Sequence, residues 1–219
     1  MIVTIDGPAG SGKSTAARGL AERLGFEYLD TGAMYRAVGL ALGRAGVPFS
    51  DEARVVDFLN RTRLEMPADK VVLNGEDVTA VIRTPAVSDA ASRVAAEGHV
   101  RAILVGWQRL VARGRDMVCE GRDQGTVVFV ESPCKFFLTA SVGTRAGRRF
   151  AELRARGVET TLERVAEEIE IRDHRDRTRA VGPLLQPPDS IVIGTDSLTA
   201  NGVLDRLEEA VRRCRCPRG

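Results

Sequence analysis

Near the start of the chain a short apolar run, Ile2-Val3-Thr4-Ile5, leads into Gly7-Pro8-Ala9-Gly10-Ser11-Gly12-Lys13-Ser14. This matches G-x-x-x-x-G-K-[ST], and Thr15 follows. The pattern works only where a strand, this loop and a helix follow one another, so it constrains the fold more than any other feature. The glycines let the backbone wrap closely and point successive N–H groups inward at phosphate oxygens. The start of the next helix adds favourable potential for an anion. Lys13 is placed to reach the β- and γ-phosphates of a nucleotide, and the Ser14 hydroxyl to ligate Mg²⁺. Gly7, Pro8, Ala9, Gly10, Ser11, Gly12, Lys13, Ser14 and Thr15 together form the expected cradle. Chance gives such a match in a chain of this length roughly once in a hundred. A dinucleotide-binding turn is excluded, because Gly10-Ser11-Gly12 runs into Lys13-Ser14-Thr15 with no third glycine.

The rest of the pattern fits an α/β chain. Strands are expected at Ile2–Asp6, Glu27–Asp30, Asp116–Glu120, Lys135–Thr139 and Ser190–Ile193. Helices are expected at Lys13–Leu24, Ala33–Arg44, up to about Asn60 from a Ser50-Asp51-Glu52 cap, Pro85–Ala96, His99–Arg113, Gly143–Arg156, Leu162–Arg172 and Ala200–Arg213. The alternation implies a doubly wound parallel sheet with helices on both faces. Between about 62 and 84 the texture changes. Arg63–Met66 and Lys70–Leu73 read as short strands joined through Pro67-Ala68-Asp69, and Asn74-Gly75 marks a turn, so a small antiparallel patch is expected there.

With 219 residues, 43% of them hydrophobic, the chain can bury a substantial core. No run of 18 apolar residues and no secretory start occurs, which points to a cytoplasmic protein with no membrane role. Cys119, Cys134, Cys214 and Cys216 make no C-x-x-C and read as reduced thiols. A net charge of +2 argues against a nucleic-acid surface. The basic residues are unevenly chosen: only Lys13, Lys70 and Lys135 are lysines, and ten arginines crowd between Arg145 and Arg179. Most belong on solvated helix faces, yet arginine also grips phosphate bidentately.

The loop alone serves kinases, GTPases and ATPases. No Asn-Lys pair is present for a guanine motif. Met117-Val118-Cys119-Glu120, four residues ending in an acid, leads into Gly121-Arg122-Asp123. Arginine in the second half favours transfer to a bound anionic acceptor over hydrolysis.

Three segments narrow this further: Tyr28-Leu29-Asp30-Thr31-Gly32-Ala33-Met34-Tyr35-Arg36, Glu120-Gly121-Arg122-Asp123-Gln124-Gly125-Thr126-Val127-Val128-Phe129, and Arg172-Asp173-His174-Arg175-Asp176-Arg177-Thr178-Arg179. In this order, and over nearly the whole chain, they resemble the signature segments of bacterial cytidylate kinases. The resemblance implies a single nucleotide-kinase domain over 1–219, with an acceptor-binding insertion at about 62–96 and a lid at about 143–157. It implies that Thr31 and Arg36 meet the acceptor phosphate with Arg122 nearby. Ser92, Arg101 and Asp123 would meet the base, and Arg172, Asp176 and Arg179 the ribose and phosphates. Lid residues Arg145, Arg148 and Arg149 would close over ATP. Lys13, Arg122, Arg148 and Arg179 would carry the charge of transfer. The implied partners are ATP with Mg²⁺ and CMP or dCMP, acting on a monomer.

Other readings stay open at this level. Arg36 and Arg101 could be solvated, and Asp176 could sit in a surface ion pair. Tyr35 and Trp107 read as packing residues, and His99 and His174 as non-catalytic. The acceptor could be UMP, AMP or another small phosphorylated molecule, or the chain could bind ATP as a regulatory module without turnover. The chain also departs from the family pattern at Gln124, at Ile171, and at Ser141-Val142-Gly143, where Pro-Glu usually opens the lid helix.

Overall fold

The computed structural model describes residues 1–67 and 70–215. In chain order the elements are β1 (Ile2–Asp6), α1 (Lys13–Leu24), β2 (Glu27–Asp30), α2 (Thr31–Arg44), α3 (Glu52–Asn60), β3 (Leu64–Glu65), β4 (Val72–Leu73) and β5 (Glu76–Asp77). After a 3₁₀ turn at Val81–Arg83 come α4 (Pro85–Val94), α5 (Gly98–Ala112) and β6 (Met117–Gly121). A wide π-type turn at Gln124–Val128 leads to β7 (Cys134–Thr139), α6 (Val142–Ala155), α7 (Leu162–Thr178), β8 (Ile191–Gly194) and α8 (Ala200–Arg215). The chain forms two compact units, Met1–Leu29 with Gly114–Gly219, and Asp30–Arg113.

The first unit holds a five-stranded sheet in the order β2-β6-β1-β7-β8. β1 runs parallel to β6 and β7, and β7 parallel to β8. Side chains on a strand alternate between faces. Val3 and Ile5 therefore join Val118, Cys134, Phe136, Leu138 and Ile193 in one core, with Ala17 and Leu20 of α1 and Leu207 and Val211 of α8. Thr4 and Asp6, on the opposite face, are buried polar groups. The outer strand β8 leaves Ile191 and Val192 exposed. Ala146, Leu153, Val165 and Ile169 form a separate small core for the α6–α7 pair.

In the second unit Ala33, Ala37 and Ala41 of α2 pack with Val71, Leu73, Val78, Ile82 and Val87. The small sheet β3-β4-β5 is antiparallel, with Asn74 (φ 51°) and Gly75 (φ 87°) making its turn.

Several boundaries differ from the sequence reading. α2 begins two residues early because Asp30 caps it, its carboxylate accepting from the Ala33 N–H at 2.7 Å. The patch strands are shorter than expected, and β5 adds a third. α7 runs six residues beyond Arg172. Its last turns carry no apolar stripe, but Asp173 and Asp176 are buried there through ion pairs. α6 opens without Pro-Glu, and Ser141 caps it instead by accepting from the Thr144 N–H. Cys119, Cys134 and Cys214 are free thiols. The Ala68-Asp69 link and Cys216 lie outside the described residues.

Candidate active site

β1 ends at Asp6 and the chain turns at once into the glycine loop. A side chain at Gly7 would place its first carbon 2.1 Å from the Leu138 carbonyl oxygen, so only glycine lets the backbone leave the sheet here. Gly10 and Gly12 take left-handed backbone, and α1 starts at Lys13. Four successive carbonyls of the loop, Pro8 to Ser11, have donors. Lys13 Nζ donates to Pro8 O at 3.0 Å, Arg145 Nη1 to Ala9 O at 3.2 Å, and Arg148 Nη1 to Gly10 O at 3.5 Å. Thr195 Oγ1 donates to Ser11 O at 3.0 Å. With these acceptors satisfied, the loop suits an anion on its N–H side. Ser11 Oγ is buried with no partner, and Ser14 lies exposed on the first turn of α1.

Lys13 is itself buried. Burial, then the neighbouring Arg122, bring its ammonium down to about 7, while Glu120 and Asp176 oppose that. An anion bound here would restore its charge. Glu120, at the end of β6, accepts from the Tyr28 hydroxyl at 2.7 Å.

Beside this loop, Asp176 gathers three arginines. Arg122 Nε donates to its Oδ2 at 2.8 Å, Arg179 Nη1 lies 3.5 Å from Oδ1, and Arg172 Nε lies 4.0 Å from Oδ2. Burial pushes the Asp176 carboxyl up, but the three arginines more than reverse this and hold it below the usual carboxylate range. This is no surface pair: only 4% of Asp176 is exposed. Asp123 is likewise buried. The turn that follows it is held by Asp6, whose carboxylate accepts from the Gln124 and Gly125 N–H groups at 2.9 and 2.8 Å.

The α6 arginines differ among themselves. Arg148 donates to Thr195 through both terminal nitrogens, at 2.9 and 2.6 Å. Arg149 pairs with Glu152 on its own helix. Arg145 is buried and also holds Ala140 O and Asp173.

The second unit holds the remaining predicted residues. Thr31 opens α2, where Arg36 Nη2 donates to Asp30 at 3.0 Å. Ser92 is buried on α4. Arg101 is 2% exposed, so the solvated reading fails; its guanidinium lies 5.4 Å from the Tyr35 ring centre and donates to Ala95 O.

Sequence reasoning overlooked Asp6, Asp173 and Thr195. Asp6 carried a usable signal, an acid closing an apolar strand, whereas Asp173 and Thr195 matter only through partners remote in the chain.

The chain is similar to known proteins over nearly its whole length. The cytidylate kinase family model matches residues 3–213. The cytidylate kinase of Caldanaerobacter subterraneus subsp. tengcongensis is 46% identical over 211 residues, covering 96% of this chain and 94% of that protein. That of Symbiobacterium thermophilum is 46% identical over 220 residues, covering 98% and 96%. A gluconokinase structure from Sinorhizobium meliloti 1021 shares the fold at a TM-score of 0.50 and 13% identity, covering 96% of this chain and 91% of that one. The chain belongs to the cytidylate kinase family.

Proposed function

We infer that the chain transfers the γ-phosphoryl group of ATP to CMP or dCMP, giving ADP and CDP or dCDP. The observation that carries this is the buried Lys13 at the head of α1, close enough to the Arg122–Asp176–Arg172–Arg179 cluster to feel its charge. ATP and a monophosphate placed end to end bring together about six negative charges. Converging cations are what such a transfer needs, and no strong base is required, since the attacking phosphate oxygen is already ionised.

On this reading Gly7 to Thr15 hold the phosphates of ATP, and Lys13, Arg122, Arg148 and Arg179 stabilise charge during transfer. Thr31 and Arg36 bind the acceptor phosphate. Ser92, Arg101 and Asp123 read the base, and Arg172, Asp176 and Arg179 serve the ribose and phosphates. A carboxylate accepts from the cytosine amino group and a guanidinium donates to its ring acceptors, whereas uracil offers Asp123 an oxygen. Residues 62–96 act as the acceptor-binding insertion and 143–157 as the lid of one kinase domain.

Mg²⁺ fits the donor set present. Among the described residues no group of three or more His, Cys, Asp or Glu gathers for a metal. Ser14 offers one hydroxyl, which suits an ion that keeps waters and is held mainly by substrate phosphates. When bound, Mg²⁺ would supply charge neutralisation for the phosphates of the nucleotide. No helix among the described residues is long and apolar enough to cross a membrane. The reading takes the enzyme as a cytoplasmic monomer, where both nucleotides are at hand, acting without nucleic acid.

The test is ADP release measured against a panel of nucleoside monophosphates. CMP and dCMP are expected to lead UMP and AMP. Asp123→Asn should narrow the CMP-to-UMP ratio by about tenfold or more, as buried groups are left mismatched. Preference for UMP or AMP by the unaltered protein would overturn the acceptor assignment.

A further inference from the structure

The α6 arginines invite one role, closing over ATP, yet Arg145 is placed for another. Its guanidinium bonds the protein through two of its three nitrogens. Nε donates to Ala140 O at 2.9 Å, Nη1 donates to Ala9 O at 3.2 Å, and the same nitrogen lies 2.6 Å from the Asp173 carboxylate. Both side chains of the pair are at least nine-tenths buried. The backbones are equally close: a side chain at Gly10 would begin 3.0 Å from Arg145 Cβ and 3.1 Å from its carbonyl oxygen. The first turn of α6 thus lies directly on the loop.

We propose that Arg145 is a positioning residue of the donor site: oriented by Asp173, it holds the Ala9 carbonyl outward and keeps the phosphate loop in its binding shape. A peptide unit cannot present its carbonyl and its N–H on one side. Fixing Ala9 O on the α6 side therefore keeps the adjoining N–H groups aimed at the phosphates. Lys13 and Thr195 do the same for Pro8 and Ser11. Asp173 fixes Arg145 in place through a charge-assisted bond, stronger than the neutral one that Thr195 makes. It also binds the seat of α7 to the loop.

This rests on the reading of Gly7–Thr15 as the ATP cradle, so the experiment separates the two. A fluorescent ATP analogue is displaced by ATP and by inorganic tripolyphosphate, well below the melting temperature, from the unaltered protein, Asp173→Asn, Arg145→Lys, the double variant and Lys13→Ala. Asp173→Asn and Arg145→Lys should each weaken both competitors about tenfold or more, by loss of a charged hydrogen bond. The CMP KM should stay within about twofold, a split that general destabilisation would not produce. The double variant should be no worse than the worse single, because the two act as one unit. Asp173→Glu should recover most of the loss.

The proposal falls if Asp173→Asn leaves both affinities within twofold. It falls equally if Arg145→Lys weakens ATP but not tripolyphosphate, which would make Arg145 a contact of the nucleoside. Should Asp173→Asn not fold, Arg145→Lys carries the test alone, and unchanged tripolyphosphate binding there is equally fatal. Normal tripolyphosphate binding by Lys13→Ala would remove the cradle reading itself. A Lys13 effect beside a silent Asp173→Asn removes only the positioning role.

Discussion

At the scale of single residues, a group's surroundings rather than its type decide what it does. Asp6 shows this with a measurable sign. Burial pushes its carboxyl up to about 7, against the pull of the Gly125 and Gln124 N–H groups, with Asp123 adding a further push and Arg122 a smaller counterpull. Its unfolded value lies near 4, so between about pH 4 and 7 the native state holds a proton that the unfolded chain has released. Stability from this group is complete below that window and is lost as pH rises through it, each tenfold change in proton concentration removing up to about 1.4 kcal/mol. Thermal unfolding followed at pH 5 and pH 8 should show the fall, and Asp6→Asn should flatten it. Equal pH slopes in the two proteins would assign the effect elsewhere. The same contrast separates the α6 arginines: Arg145 and Arg148, one helical turn apart, differ in burial and partners although the sequence presents them as equivalents.

At the scale of elements, the first two turns of α6 are already tied to the loop through Arg145, Arg148 and Gly10. Water must be excluded from an activated phosphoryl group, and a closing segment does this. With a bisubstrate analogue bound, hydrogen exchange should slow within the 143–157 lid, chiefly beyond Arg148. Uniform protection, or none, would place the moving part elsewhere. The ends of α1 are legible in the sequence because glycines mark both: Gly12 and Gly25 take left-handed backbone and leave no choice of boundary. α7 outruns its sequence pattern because its last two turns are held by buried ions, and ions produce no apolar period. Thr126-Val127-Val128 are all β-branched, yet Asp6, more than a hundred residues away, draws the preceding backbone into a turn. The chemistry of the glycine loop can be read from spacing alone. The partners that shape it cannot, since Asp173 and Thr195 reach it only through the fold.

At the scale of the whole molecule, stability and chemistry draw on different residues. Leu207 of α8 is fully buried against the sheet core and remote in kind from the charged site. Leu207→Ala should cost about 2–5 kcal/mol in chemical denaturation, with KM values unchanged at low temperature. A changed KM would mean that α8 also shapes the site. This loss bears on how the chain behaves in company. The last strand of the sheet, β8, has a flank unpaired among the described residues and carries Ile191 and Val192 in the open. Such a flank invites another chain to add a strand, and four residues closed by Gly194 are a short template. A loosened α8 would widen that template by uncovering Ile193 and its neighbours. Heated or weakened protein should then be lost by association, faster at higher concentration, before it unfolds reversibly.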